Sequence, residues 1–139
     1  MFKIIGIDHL VLRTADPQQL MRFYIDVLGC HLERQLDPDV GLFQLRAGNA
    51  LIDIVPVDSE LGRKGGGAPT AKNNNLDHLC LQIDTKNLDD VLQHLQQHQV
   101  QIGDVAERYG ATGFGLSVYI YDPDNNMVEL KPVDISAVN

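Results

Sequence analysis

Cationic side chains are scarce in this sequence. Eleven lysines and arginines stand against 19 aspartates and glutamates, giving a formal charge of −8 and a pI near 4.8. Nucleic acid and anionic membrane surfaces both want basic patches, so neither is an expected partner. Long apolar runs are missing too: none nears the roughly 18 residues of a membrane-spanning helix. Only two cysteines occur, Cys30 and Cys80, and they form no CxxC pair. A reduced, cytoplasmic protein is the resulting expectation. Cys80 lies inside an apolar strand pattern and reads as a small buried hydrophobe. The opening MFKIIGIDHL has one lysine but no long apolar run with a cleavage site, and reads as a first strand rather than a signal peptide.

What is present is core material. Apolar residues make up 44% of 139 positions, enough for one compact domain or two small subdomains. The first half opens with KIIGIDHLVLR, a strand rich in β-branched and apolar residues. ADPQQLMRFYIDVLG then reads as a helix, with Asp16 as cap, Pro17 at the first helical position and Gly29 at the stop. GLFQLRA and ALIDIVPV follow as strands joined at Gly48-Asn49, a hairpin-type turn. The second half repeats the order. LDHLCLQID is a strand, NLDDVLQHLQQHQV a helix, VQIGDVAE a further strand, and GLSVYIY and NMVELKPV are strands joined by the turn DPDNN. Each half is about βαβββ. Between them ELGRKGGGAPTAKNNN reads as a linker or mobile loop. The expected organisation is one domain over residues 1–139, with module 1 near 1–60, the loop near 61–75 and module 2 near 76–139.

The two halves also agree in their polar residues. His9 and His78 lie 69 residues apart, and Asp53 and Glu129 lie 76 apart. Duplication with a seven-residue insertion in a second-half loop accounts for both spacings. Strand alternation puts His9 on a face with Ile7, Val11 and Arg13. Asp53 and Glu129 sit in strands that are apolar on both sides. A carboxylate buried there costs several kcal/mol unless something positive meets it. Arg13 and Lys131 are candidate partners, but one divalent cation would serve all four residues. Two imidazoles with one or two carboxylates make a mixed N/O set suited to Zn, Ni, Fe(II), Mn or Co. A single strand histidine is ordinarily a hydrogen-bonded core residue; the joint pattern of four is what points to metal. His94 and His98, one helical turn apart among glutamines, read as a solvated face, and His31 reads as loop.

IDHLVLRTADPQQLMRFYIDVLG resembles the opening of the vicinal oxygen chelate proteins, the glyoxalase I, bleomycin resistance and fosfomycin resistance superfamily. LDHLCLQID and GLSVYIYDPDNNMVELK resemble its second-half signatures. The resemblance covers nearly the whole chain. It implies an α+β fold in which paired βαβββ modules form a cupped sheet around a divalent metal ion. It also implies ligands at His9, His78 and Glu129, with Asp53 where glyoxalase I enzymes carry a longer glutamate. Arg13 falls where bacterial glyoxalases place an arginine that contacts glutathione, and by parity it shares the His9 face. Ser117 resembles a serine of the fosfomycin resistance proteins. The glutathione-contacting Asn is absent, since IVPV follows Asp53.

The function expected on this resemblance is a metal-dependent lyase or isomerase of glyoxalase type, acting on a small oxygen-rich substrate such as a thiol conjugate. Glu129 or Asp53 would move the proton, and Arg13 and Ser117 would bind substrate. The alternatives are a fosfomycin-type thiol transferase, a metal-free drug-sequestering protein, and an Fe(II) ring-cleaving dioxygenase. The absence of tryptophan and an aromatic content of 6% weigh against a drug cradle. A homodimer is the expected assembly.

Overall fold

The structure, a computed structural model, describes residues 1–137. The chain forms two compact units that divide between Asn75 and Leu76. Each is an α+β unit built on one four-stranded sheet.

In the first unit the strands are β1 (His9–Thr14), β2 (His31–Gln35), β3 (Phe43–Ala47) and β4 (Ala50–Pro56), in sheet order β1-β4-β3-β2. β1 pairs parallel to β4, with His9 opposite Leu51 and Val11 opposite Asp53. Alternation then sorts the side chains. Leu12, Leu45, Ile52 and Ile54 take one face and are buried together with Leu20, Met21 and Tyr24 of the helical segment. Each such side chain contributes roughly 1.5–3 kcal/mol by leaving water. His9, Val11, Gln44 and Asp53 take the other face.

The helix differs from the expectation in one respect. Asp16 accepts from the Gln19 amide and Pro17 opens α1 (Pro17–Arg22), as read from the sequence. From Phe23 to Val27 the turns widen into a π-helix, closed by Leu28 N–H to Phe23 O at 3.3 Å. The wider turn lets the neighbours Phe23 and Tyr24 both be buried, with their rings edge-on at 5.3 Å. Gly29 then stops the helix with φ +76°.

Three other expectations need correction. The first strand starts at His9 rather than at Lys3, because pairing with β4 begins there; Phe2, Ile4, Ile5 and Ile7 lie exposed outside it. His31 is not loop but the first residue of β2, an exposed edge strand. The Gly-Lys-rich segment is not a free linker. Arg13 donates to the carbonyls of Gly62 at 3.1 Å, Gly66 at 2.5 Å and Gly67 at 3.2 Å. Asn75 meanwhile brackets the Arg13 backbone, accepting from its N–H and donating to its C=O.

The second unit holds β5 (His78–Asp84), α2 (Leu88–Gln97), β6 (Gln101–Gly110), β7 (Gly113–Tyr121) and β8 (Met127–Val133), in order β5-β8-β7-β6. β5 is parallel to β8, with His78 opposite Met127 and Cys80 opposite Glu129. Leu79, Leu95, Val118, Ile120, Val128 and Leu130 form its core. The extra residues inferred from the spacing lie in a longer β6–β7 hairpin and in the turn at 122–126, where Asn125 adopts φ +63°.

Candidate functional site

The parallel pairing repeats one geometry in both units. A histidine opens the edge strand, and an acid sits diagonally from it on the neighbouring strand and on the same face. The preceding aspartate takes the ring's Nδ1 in each copy: Asp8 Oδ1 lies 2.6 Å from His9, and Asp77 Oδ2 lies 2.6 Å from His78. A carboxylate there accepts Nδ1–H and leaves the Nε2 lone pair outward, the orientation a metal ligand needs. The hydrogen bond to Asp8, and after it the charge of Asp53, holds the His9 pKa above the ordinary imidazole value.

In the second unit His78 Nε2 lies 3.4 Å from Glu129 Oε2. The other carboxylate oxygen is tied, because the Ser117 hydroxyl donates to Oε1 at 2.6 Å. Two donors each about 2.1 Å from one tetrahedral ion stand about 3.4 Å apart, so this pair fits a shared cation. Glu129 is 6% exposed and Ser117 is fully buried. In the first unit Asp53 is 4% exposed, and the Gln44 amide donates to both its oxygens, at 3.3 and 3.2 Å. Among the described residues no group of three or more His, Cys, Asp and Glu side chains is gathered at one point. The second unit thus pairs an imidazole with a carboxylate, and in the first Asp53 lies near enough for its charge to act on the His9 ring.

Of the other sequence-derived candidates, Ser117 touches Glu129 directly, whereas Arg13 turns its guanidinium onto loop carbonyls. Lys131 is buried on the Glu129 strand, and its ammonium donates to the Gly113 carbonyl instead of to an acid. Cys80 is not buried: parity puts it on the face of His78 and Glu129, where it is exposed. Partial desolvation, and after it the Glu129 charge, pushes its thiol up to about 11.

Arg108, Tyr119 and Gln44 were not singled out in the sequence. Arg108 donates to Ser117 Oγ and stacks over Tyr119, and Tyr119 stands edge-on to His78. Their only sequence signal is position, since strand parity puts each on the face of the histidine and the acid. Asp8 and Asp77 had a plainer signal in the repeated Asp-His dipeptide.

No helix among the described residues is long and apolar enough to cross a membrane. The model of the Glyoxalase/Bleomycin resistance protein/Dioxygenase superfamily matches residues 6–130. Virulence protein STM3117 of Salmonella typhimurium is 33% identical over 126 residues, covering 90% of this chain and 82% of that protein. Its crystal structure superposes with a TM-score of 0.72 at 29% identity, over 94% of this chain and 98% of the other. An integron cassette protein from the mobile metagenome of V. cholerae gives 0.71 at 30% identity, over 96% and 99%. Lactoylglutathione lyase from Agrobacterium tumefaciens gives 0.65 at 20% identity, over 91% and 92%, a likeness of fold. Family match, relatives and the doubled βαβββ architecture agree, and the chain belongs to the glyoxalase/bleomycin resistance protein/dioxygenase superfamily.

Proposed function

We propose that the protein is a divalent-metal-dependent lyase or isomerase of glyoxalase type, acting on a small oxygen-rich substrate such as a thiol conjugate. The observation that carries this reading is the His78–Glu129 pair. Its Nε2 and Oε2 face each other at 3.4 Å, and their companion atoms are pinned by Asp77 and Ser117. The residues that would hold the ion are His9, His78 and Glu129, with Asp53 as a fourth donor. A divalent cation in that set (Zn, Ni, Fe, Mn or Co) would supply Lewis acidity to substrate oxygens.

The chain's own residues do the rest. A carboxylate, Glu129 or Asp53, takes a proton from one carbon and returns it to the next. Ser117 holds Glu129 in one orientation while it does so. Arg13 offers its guanidinium to an anionic group of the substrate in exchange for the loop carbonyls it holds. A homodimer belongs to the proposal, supported by the exposed apolar side chains of Phe2, Ile4, Ile5 and Ile7. Light scattering is expected to return twice the chain mass.

The test is the metal content and the activity of the purified chain on a glutathione hemithioacetal. His78→Ala is expected to abolish metal binding and to lower turnover by at least about a thousandfold. Full metal content in that variant would refute the site. Turnover of a phosphonate epoxide or a catechol in place of the hemithioacetal would move the assignment to a transferase or a dioxygenase.

A further inference from the structure

Arg108 stands on β6 with its guanidinium on the ligand face. Nη1 donates to both Oγ and the carbonyl of Ser117 at 2.9 Å each, and Nη2 donates to Asp104 at 2.8 Å. A guanidinium can only donate, so it claims a lone pair of the Ser117 hydroxyl. The hydroxyl proton goes to Glu129 Oε1 at 2.6 Å, and Oε2 is left facing His78 Nε2. On its other side the Arg108 Cζ lies 3.7 Å from the Tyr119 ring centroid, and that ring meets the His78 ring edge-on at 5.7 Å. One side chain thus reaches both members of the pair, each through a single intermediary.

We infer that Arg108 is a positioning residue for the His78–Glu129 pair, orienting the carboxylate through Ser117 and the imidazole through Tyr119 so that both present to one divalent cation. The inference rests on the metal-binding reading above. The contact with Asp104 does not account for this placement, since that side chain is 73% exposed and its ion pair contributes little. The first unit repeats the acid half of this relay. Arg34 on β2 donates to the Gln44 side-chain Oε1 at 2.9 Å, which turns the Gln44 Nε2 onto Asp53. In both sheets an arginine of the strand farthest from the histidine acts on the acid through a neutral side chain.

The test uses the full chain and its R108A, R108K, S117A and R108A/S117A variants. Each is titrated with Co2+ alone and followed by visible absorption, with thermal melting of the metal-free proteins alongside. R108A is expected to bind Co2+ about tenfold or more weakly and with an altered band shape, the size of effect that residues orienting metal ligands have. S117A should resemble it, and the double variant should lose no more than the worse single one. Lysine keeps the charge but cannot fork onto Ser117 and lie flat on Tyr119, so R108K should fall near R108A. Metal-free melting should hardly move. If R108A does not fold, R108K and S117A carry the comparison. Unchanged Co2+ affinity and spectrum in the arginine variants, or additive losses in the double variant, overturn the inference alone. No Co2+ uptake by the unsubstituted chain overturns the metal reading and the inference with it.

Discussion

Asp53 and Glu129 hold equivalent places in their sheets but unequal company. Glu129 has one oxygen fastened by a hydroxyl and the other turned to an imidazole nitrogen. Asp53 is one methylene shorter, and both of its oxygens accept from one amide. The geometry favours Glu129 as the stronger donor and leaves Asp53 to act at longer reach. Asp53→Ala is therefore expected to weaken metal binding roughly tenfold, against near-complete loss for His78→Ala. Isothermal titration with Zn2+ compares the two, and equal losses would make Asp53 a full ligand. The candidate donors are legible in the sequence because a strand acid among hydrophobes is conspicuous. Arg108 was not, because an arginine in an alternating strand looks like any solvent-facing residue until its partner strand is known.

At the scale of elements, strands with a buried face were readable and the exposed edge was not. HLERQ of β2 is exposed along its length, so no apolar alternation marks it, and only pairing with β3 makes it a strand. The reverse holds at KIIGI, whose apolar pattern continues past the point where β4 has residues to pair. Cys80 follows the same rule: the apolar run around it suggests an inward side chain, while parity points it out. What holds β2 is polar. Arg46 forks onto Glu33 at 2.7 and 2.9 Å, and its hydrogen bond holds the Glu33 carboxyl below the ordinary range. A depressed folded value means that this stabilisation is complete above the unfolded pKa and disappears as pH falls through the folded one. Arg46→Ala should speed hydrogen exchange of β2 amides about two- to fivefold at neutral pH. The difference should vanish in acid below the lowered Glu33 pKa. A difference that persists there would assign it to lost packing of the arginine stem instead.

For the molecule as a whole, the duplication that was visible as a repeated Asp-His dipeptide returns as two sheets with the same strand order and the same histidine–acid diagonal. A catalytic zinc-type site takes three protein donors, and the set proposed for one ion is His9, His78 and Glu129, with Asp53 as a fourth. On that proposal the binding of the ion should fail as a whole when either histidine is lost. One ion per chain is expected in the unsubstituted protein. His9→Ala and His78→Ala should each remove nearly all of it, although each touches only one unit. Metal analysis after gel filtration makes the distinction. Two ions per chain, with half retained in each single variant, would describe two separate two-donor sites and would end the reading of a shared ion.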